Sequence, residues 1–345
     1  MTTDTRSGAG TGDARSAGDT PGTVPHPAAF HALHHRPGRP LLLPNAWDSA
    51  SALALAAAGH PAIGTTSLGV AAAHGHPDGR ALPEVRDATL ALARRLAGRL
   101  PCPYTVDIEG GYGTGPDADS GLDSGLDPDS DPGFAQVTSL AVELAGCGAA
   151  GINLEDGLPG GRGLRDPSRQ AELIRAVKEC APDLFLNARI DTHWLVDTPP
   201  PLSEALARAE TYLAAGADGV FVPGVTADAD LAVLVDGIAA PLNVLFAPGR
   251  HTVRRLADLG VRRISTGSLL FRTALGAACA AADALRASGE RPGDAPARGA
   301  GEPPAFADAL AYGEVQRLVG DGAYGGDGGG YGGGDGRGAG ECGEG

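Results

Sequence analysis

Along the chain, short runs of apolar residues alternate with longer stretches in which apolar positions recur every three or four residues. The short runs are Leu41–Pro44, Ala62–Thr66, Tyr104–Ile108, Gly151–Leu154, Leu184–Ala188, Gly219–Val222, Leu242–Phe246 and Arg263–Thr266. Their length suits strands buried on both faces. Between them lie helical patterns at Asp48–Ala58, Glu84–Ala97, Phe134–Ala145, Pro167–Cys180, Leu202–Ala215, Thr226–Val235 and Thr252–Leu259, and Leu269–Arg286 follows the last strand. Eight such repeats predict an α/β fold, a parallel (β/α)8 TIM barrel spanning residues 27–286. The rival is a doubly wound open sheet, but no GxGxxG follows the first strand.

The flanks lack this pattern. Residues 1–26 and 321–345 are rich in Gly without core-forming periodicity and are expected to be disordered. An acidic low-complexity insert, residues 114–133, separates strand three from its helix. Its Asp127-x-Asp129-x-Asp131 spacing resembles a calcium loop, but Thr138 stands where such a loop needs Glu. A Pro/Gly linker at 287–301 leads to a terminal segment, 302–320, in which Ala305–Val319 has helical periodicity. A helix beyond a linker needs a surface to dock on, such as a neighbouring subunit.

Composition narrows the partners. A net charge of −15 argues against nucleic acid and anionic membranes, and no apolar run is long enough to span a bilayer. The first residues lack a signal peptide's apolar core, so a cytoplasmic protein is expected. Cys102, Cys147, Cys180, Cys279 and Cys342 show no CxxC spacing and read as free thiols, four of them in core elements. Lys178 is the one lysine, and it reads as a solvated mid-helix residue. Schiff-base and pyridoxal phosphate chemistry are thereby disfavoured.

The candidate chemistry gathers at the strand ends, which line the mouth of such a barrel. Asp107-Ile108-Glu109 ends strand three and runs into Gly110-Gly111-Tyr112-Gly113; Glu155-Asp156 ends strand four. Strand five ends in Asn187, Arg189 and Asp191. Asn45, Trp47 and Asp48 follow strand one, Thr66 and Ser67 follow strand two with Asp78 beyond, and strands seven and eight carry Asn243 and Ser265. Carboxylates crowded at one mouth repel unless a cation neutralises them, and an all-oxygen set suits Mg²⁺ or Mn²⁺. Arg189 is shaped to grip a substrate carboxylate. Blander roles stand beside these: Asp48 as a helix cap, Asp191 as an ion-pair partner of Arg189, and His31, His34 and His35 as solvated helix residues.

The segments PNAWDSASA, TTSLGVAAAHGHPDG, DIEGGYG, GINLEDG, NARIDT, GADGVFVPG and GVRRISTGS resemble the isocitrate lyase/phosphoenolpyruvate mutase superfamily, in order from Phe30 to Leu275. The resemblance implies a (β/α)8 barrel, a bound Mg²⁺ and a homotetramer whose C-terminal helix swaps between subunits. It makes Asp107 the direct metal ligand, with Glu109, Glu155 and Asp78 holding the metal through water. Arg189 would bind the substrate carboxylate, and Thr66 and Ser67 the α-oxo acid end, within a pocket that Trp47 and Asn243 complete.

The resemblance stops at the loop after strand four, where members divide by reaction. Lyases for isocitrate or methylisocitrate carry, after strand three or four, a KKCGH loop whose Cys acts as proton donor, and this sequence has none. Phosphonopyruvate-handling mutases use a Lys and an Asn there, whereas DGLPGGRGLRDPSRQ offers Arg162, Arg165 and Arg169. The expectation is therefore a Mg²⁺-dependent carbon–carbon lyase of the methylisocitrate or dimethylmalate type, or an oxaloacetate decarboxylase. A phosphonomutase is the alternative, and a catalytically silent barrel a further one.

Overall fold

The structure, a computed structural model, describes residues 27–112, 132–194, 196–288 and 310–319. The expectations for residues 1–26, for most of the acidic insert, and for the linker and Gly-rich tail lie outside them. The strands are β1 (Leu41–Leu43), β2 (Asn45–Ala46), β3 (Ile63–Thr65), β4 (Tyr104–Asp107), β5 (Gly151–Glu155), β6 (Phe185–Arg189), β7 (Gly219–Phe221), β8 (Leu242–Leu245) and β9 (Arg263–Ser265). All pair in parallel in the order β1-β9-β8-β7-β6-β5-β4-β3-β2. Because β1 and β2 are successive pieces of one strand, this order nearly closes a barrel. Pro44 separates the pieces: it has no N–H for the ladder, although its carbonyl still accepts from Gly64.

The helices surround the sheet: α1 (Pro27–Leu33), α2 (Ser49–Ala57), α3 (Ser67–Ala73), α4 (Pro83–Leu96), α5 (Pro132–Gly146), α6 (Pro167–Cys180), α7 (Leu202–Ala214), α8 (Asp228–Gly237), α9 (Val253–Asp258), α10 (Leu269–Ser288) and α11 (Tyr312–Val319). Asp48 caps α2, its carboxylate accepting from Ser51 N at 2.7 Å while Ser51 Oγ answers the cap backbone. Neither α1 nor α3 follows from the apolar periodicity. Each is short and owes its place to burial: Phe30 and Leu33 anchor α1, and Gly69 lets α3 lie against Trp47.

α1 closes the barrel at the end opposite the strand termini. Phe30 and Leu33 form a separate cluster with Leu41, Leu43, Ala62, Ala150 and Phe185. His34 belongs there too, contrary to its reading as a solvated residue. Only 1% exposed, it stacks on Phe185 with centroids 4.1 Å apart, and its Nδ1–H donates to the Phe30 carbonyl. Burial, helped by Arg263, lowers its pKa to about 3.

Two further expectations need correction. Cys180 and Cys279 are exposed and Cys147 half-buried, leaving Cys102 as the buried thiol among those described. Helical position alone did not decide which face each occupies. Lys178 is likewise not solvated: its ammonium pairs with Asp218 at 2.8 Å and donates to the carbonyls of Pro182 and Leu184.

Candidate functional site

The barrel's strand ends bring the acidic residues together. Asp107, the last residue of β4, is held by its own backbone N–H, which donates to Thr65 Oγ1 at 2.9 Å. Its Oδ2 accepts from Ser67 N at 3.5 Å, at the start of α3. Two residues on, Glu109 has φ 50, a left-handed conformation that non-glycine residues rarely adopt. Glu109 O accepts from Glu155 N at 3.0 Å, and its Oε2 from Ala81 N at 3.2 Å. The turn continues through Gly111, φ 97, where a Cβ would lie 2.4 Å from Val137. Glycine is required there on both counts.

The electrostatics follow from this crowding. Burial, then the charge of Asp78, pushes the Glu109 carboxyl up to about 7. Burial, then Asp107, raises Asp78, with Ser67 opposing. Glu155 rises well above the usual carboxylate range through burial, although Arg189 pulls it back. Asp107 Oδ1 and Glu109 Oε1 are buried without a hydrogen-bond partner. Such oxygens suit a hard divalent cation held partly through water. Among the described residues no three acidic, His or Cys side chains converge into a direct ligand cage. The residues present would therefore fit such a cation with Asp107 as a direct carboxylate contact and Glu109 reaching it through water.

Arg189 sits at the end of β6, paired in register with Glu155 of β5. Its Nη1 lies 2.7 Å from Glu155 Oε2. Nε and Nη2 donate to the two Asp191 oxygens at 2.6 and 3.0 Å. Both readings of Asp191 and Arg189 thus concern one group, since a guanidinium has five N–H donors and three are spent here. The rings of Trp194 and Phe221 flank it at 5.5 and 5.9 Å.

A support network that sequence reasoning missed lies behind this pair. Asp156, fully buried, accepts from Asp191 N (2.9 Å), Arg208 Nη1 (3.0 Å) and Tyr212 OH (2.8 Å). Arg208 and Tyr212 are four apart on α7 and therefore share a face; that spacing was the available signal. The loop after β5 folds back over the mouth. Gly160 N donates to Gly79 O at 2.7 Å, Arg165 reaches Gly110 O, and Arg165 bonds Gln170, which in turn donates to Glu155 O. This joins the segments carrying Asp78, Glu109 and Glu155.

The remaining expected residues are more dispersed. Ser67 donates its backbone N–H to Asp107, Thr66 precedes it as the residue that opens α3, and Asn45 bridges strand one to Thr266. Trp47 packs edge-on against Phe271 at 5.5 Å. Asn243 lies deeper, 1% exposed, where it accepts from Ser265 Oγ. Asn153 and Arg263, which sequence reasoning did not single out, occupy the same inner layer.

A parallel barrel whose strand ends gather carboxylates around an arginine is the usual frame of an enzyme active site. Comparison with known proteins narrows the class. The family model for phosphoenolpyruvate phosphomutase matches residues 30–120 and 123–286. The chain belongs to that family, and so to the isocitrate lyase/phosphoenolpyruvate mutase superfamily of lyases and mutases. It is 42% identical over 268 residues to Uncharacterized protein Rv1998c of Mycobacterium tuberculosis (strain ATCC 25618 / H37Rv), covering 78% of this chain and 93% of that protein. It is 28% identical over 210 residues to the 2-methylisocitrate lyase of Bacillus subtilis (strain 168), covering 59% of this chain and 61% of that enzyme. Among solved structures, a phosphonomutase candidate from Burkholderia cenocepacia J2315 superposes with a TM-score of 0.66 at 36% identity, covering 75% of this chain and 99% of that one.

Proposed function

We propose that this protein is a Mg²⁺-dependent lyase that breaks, or makes, a carbon–carbon bond next to a 2-oxo or 2-hydroxy carboxylate, through an enolpyruvate-like oxyanion. The observation that carries this reading is the pair of buried, unpartnered oxygens, Asp107 Oδ1 and Glu109 Oε1, at a mouth shared with Arg189. A bound Mg²⁺ would supply electrostatic stabilisation of negative charge developing on the substrate's oxygen. Asp107 would hold it directly, with Glu109, Glu155 and Asp78 reaching it through water. Arg189 would grip the substrate carboxylate with its two remaining N–H donors, in an orientation set by Asp191 and the flanking rings. The backbone at Thr66 and Ser67 would orient the oxo-acid end, and Trp47 and Asn243 would bound the pocket.

Methylisocitrate- or dimethylmalate-type cleavage and oxaloacetate decarboxylation are the leading reactions. Decarboxylation fits the loop after β5 best, because it needs no strong acid there. A second reading, a phosphonomutase, is favoured by the likeness to the Burkholderia protein and by Arg162 and Arg165 on that loop, which suit a phosphonate. A silent barrel accords poorly with carboxylates buried at a cost that a cation would relieve.

Two experiments test the reading. Calorimetric titration of Mg²⁺ should detect binding to the wild type and none to Asp107→Ala; equal affinity would sink the metal assignment. Incubation with 2-hydroxy diacids, oxaloacetate and phosphonopyruvate, followed by proton and phosphorus NMR, should show an oxo acid released from a dicarboxylate. Turnover of the phosphonate alone would replace the lyase with the mutase.

A further inference from the structure

Below the carboxylates, the barrel holds a polar layer that their chemistry does not explain. Arg263, at the start of β9, is 1% exposed. Its guanidinium reaches across the barrel to β5, where Nη2 donates to Asn153 Oδ1 at 3.0 Å. Asn153 is itself paired in register with Asp107, and Asp107 is the carboxylate whose charge reaches Arg263. Burial still depresses the guanidinium's pKa to about 9.

Two donors of this layer are left without partners. Arg263 Nε donates to Ser265 Oγ at 3.3 Å, and the Ser265 hydroxyl donates to Asn243 Oδ1 at 3.1 Å. That relay satisfies the Asn243 oxygen and leaves its Nδ2 without a partner, as Arg263 Nη1 also is. Asn153 Oδ1 already accepts from Arg263 Nη2 and from Asn187 Nδ2. Asn243 and Arg263 are direct register partners on β8 and β9. Two unspent donors, one of them cationic, therefore occupy neighbouring positions. They also continue the inward row that runs from Glu155 and Arg189 through Phe221. Buried donors left unpaired are costly, and an anion between them would satisfy both while compensating the guanidinium.

We propose that Arg263 Nη1 and Asn243 Nδ2 form a second anion-binding point on the barrel floor, which takes one carboxylate of a dicarboxylate whose other end stays at the mouth. The assignment rests on reading the mouth as a carboxylate site, and it makes Arg263 a specificity residue that selects dianions over monoanions.

Malonate and acetate, titrated calorimetrically into the Mg²⁺-supplemented protein, serve as probes. Wild type should bind malonate at least ~10-fold more tightly than acetate, the factor expected of one or two charge-assisted hydrogen bonds. Arg263→Met and Asn243→Leu should each erase that preference while Mg²⁺ binding persists. Asn243→Leu removes no charge, so it keeps the test open if the arginine variant does not fold, which thermal melts would reveal. Absence of a malonate preference in wild type overturns the proposal, as does a preference that survives in folded Asn243→Leu; Arg263 would then be a packing residue hydrated by water. If no 2-oxo or 2-hydroxy acid is turned over while malonate binding still depends on Asn243, the lyase reading fails and the anion point stands.

Discussion

Asp156 and His34 show how far burial outruns composition at the scale of single residues. Asp156 sits with no exposure beneath Asp191 and balances Arg208, so Asp156→Ala leaves a largely buried guanidinium with only the half-exposed Glu204, 3.6 Å away, as counter-charge. We expect a loss of about 3–5 kcal/mol, read as a lower urea midpoint, and a displaced Arg189–Asp191 pair. His34 makes a pH-dependent prediction. A free imidazole titrates near 6.5, and the folded protein holds His34 down to about 3. The unfolded chain therefore binds the extra proton, so stability falls as pH drops below ~6.5 and goes on falling towards ~3. The slope approaches ~1.4 kcal/mol per pH unit. Melting curves of wild type and His34→Leu across this window should diverge, with the variant flatter; parallel curves would contradict the assignment.

The same scale separates the legible from the hidden. The convergence of Asp107, Glu109, Glu155 and Arg189 was legible because barrel strands end at the mouth, so sequence position implies spatial proximity. Asp48 was legible as a cap from Asp-Ser-x-Ser alone. His34 was not, because its neighbour Phe185 comes from a strand distant in sequence. Arg263 was not legible inside a short strand because its partners Asn153 and Asn243 lie on other strands.

Elements owe their limits to local chemistry and their positions to packing. The eight apolar runs became strands because each is short and apolar enough to be covered on both faces, and Pro44 divided the first. The turn after β4 depends on backbone conformation more than on side-chain contact. Gly111→Ala should cost about 2–4 kcal/mol, summing a disfavoured φ with a Cβ driven into Val137. Chemical denaturation would measure it, and Mg²⁺ affinity should fall with it because Glu109 lies two residues away. A change under 1 kcal/mol would mean that the turn readily relaxes. α3 was unreadable as a helix because its exposed residues, Ala72 and Ala73, are as apolar as its buried Val70 and Ala71, which removes the polar face that marks an amphipathic helix.

For the whole molecule, the outer helices present the surface that the barrel leaves uncovered. Among the described residues α10 exposes apolar surface, with Leu275 52% exposed. α11 packs on α2 of the same chain, and Arg99 donates to Val319 O at 2.8 Å. We propose that the exposed face of α10 meets a second copy and that the terminal helix can dock on a neighbour as it does here on its own chain. Analytical ultracentrifugation should find an assembly larger than a monomer, tetrameric if the family arrangement holds. Truncation after residue 301 should shift it to smaller species; a wild-type monomer would refute the proposal. Among the described residues, no helix is long and apolar enough to cross a membrane.

By itself the sequence determined the repeating barrel and the acidic strand ends, because a period of apolar residues and a residue's place at a strand terminus are local properties. The family membership rests on ordered segments of the same kind. Only the tertiary structure decided that Arg189 is shared between Glu155 and Asp191, that Asp156 anchors them through α7, and that Arg263 spans the barrel interior. Those relations join residues far apart in the chain, and burial sets their energies: water is excluded, so each charge must find its partner across the fold.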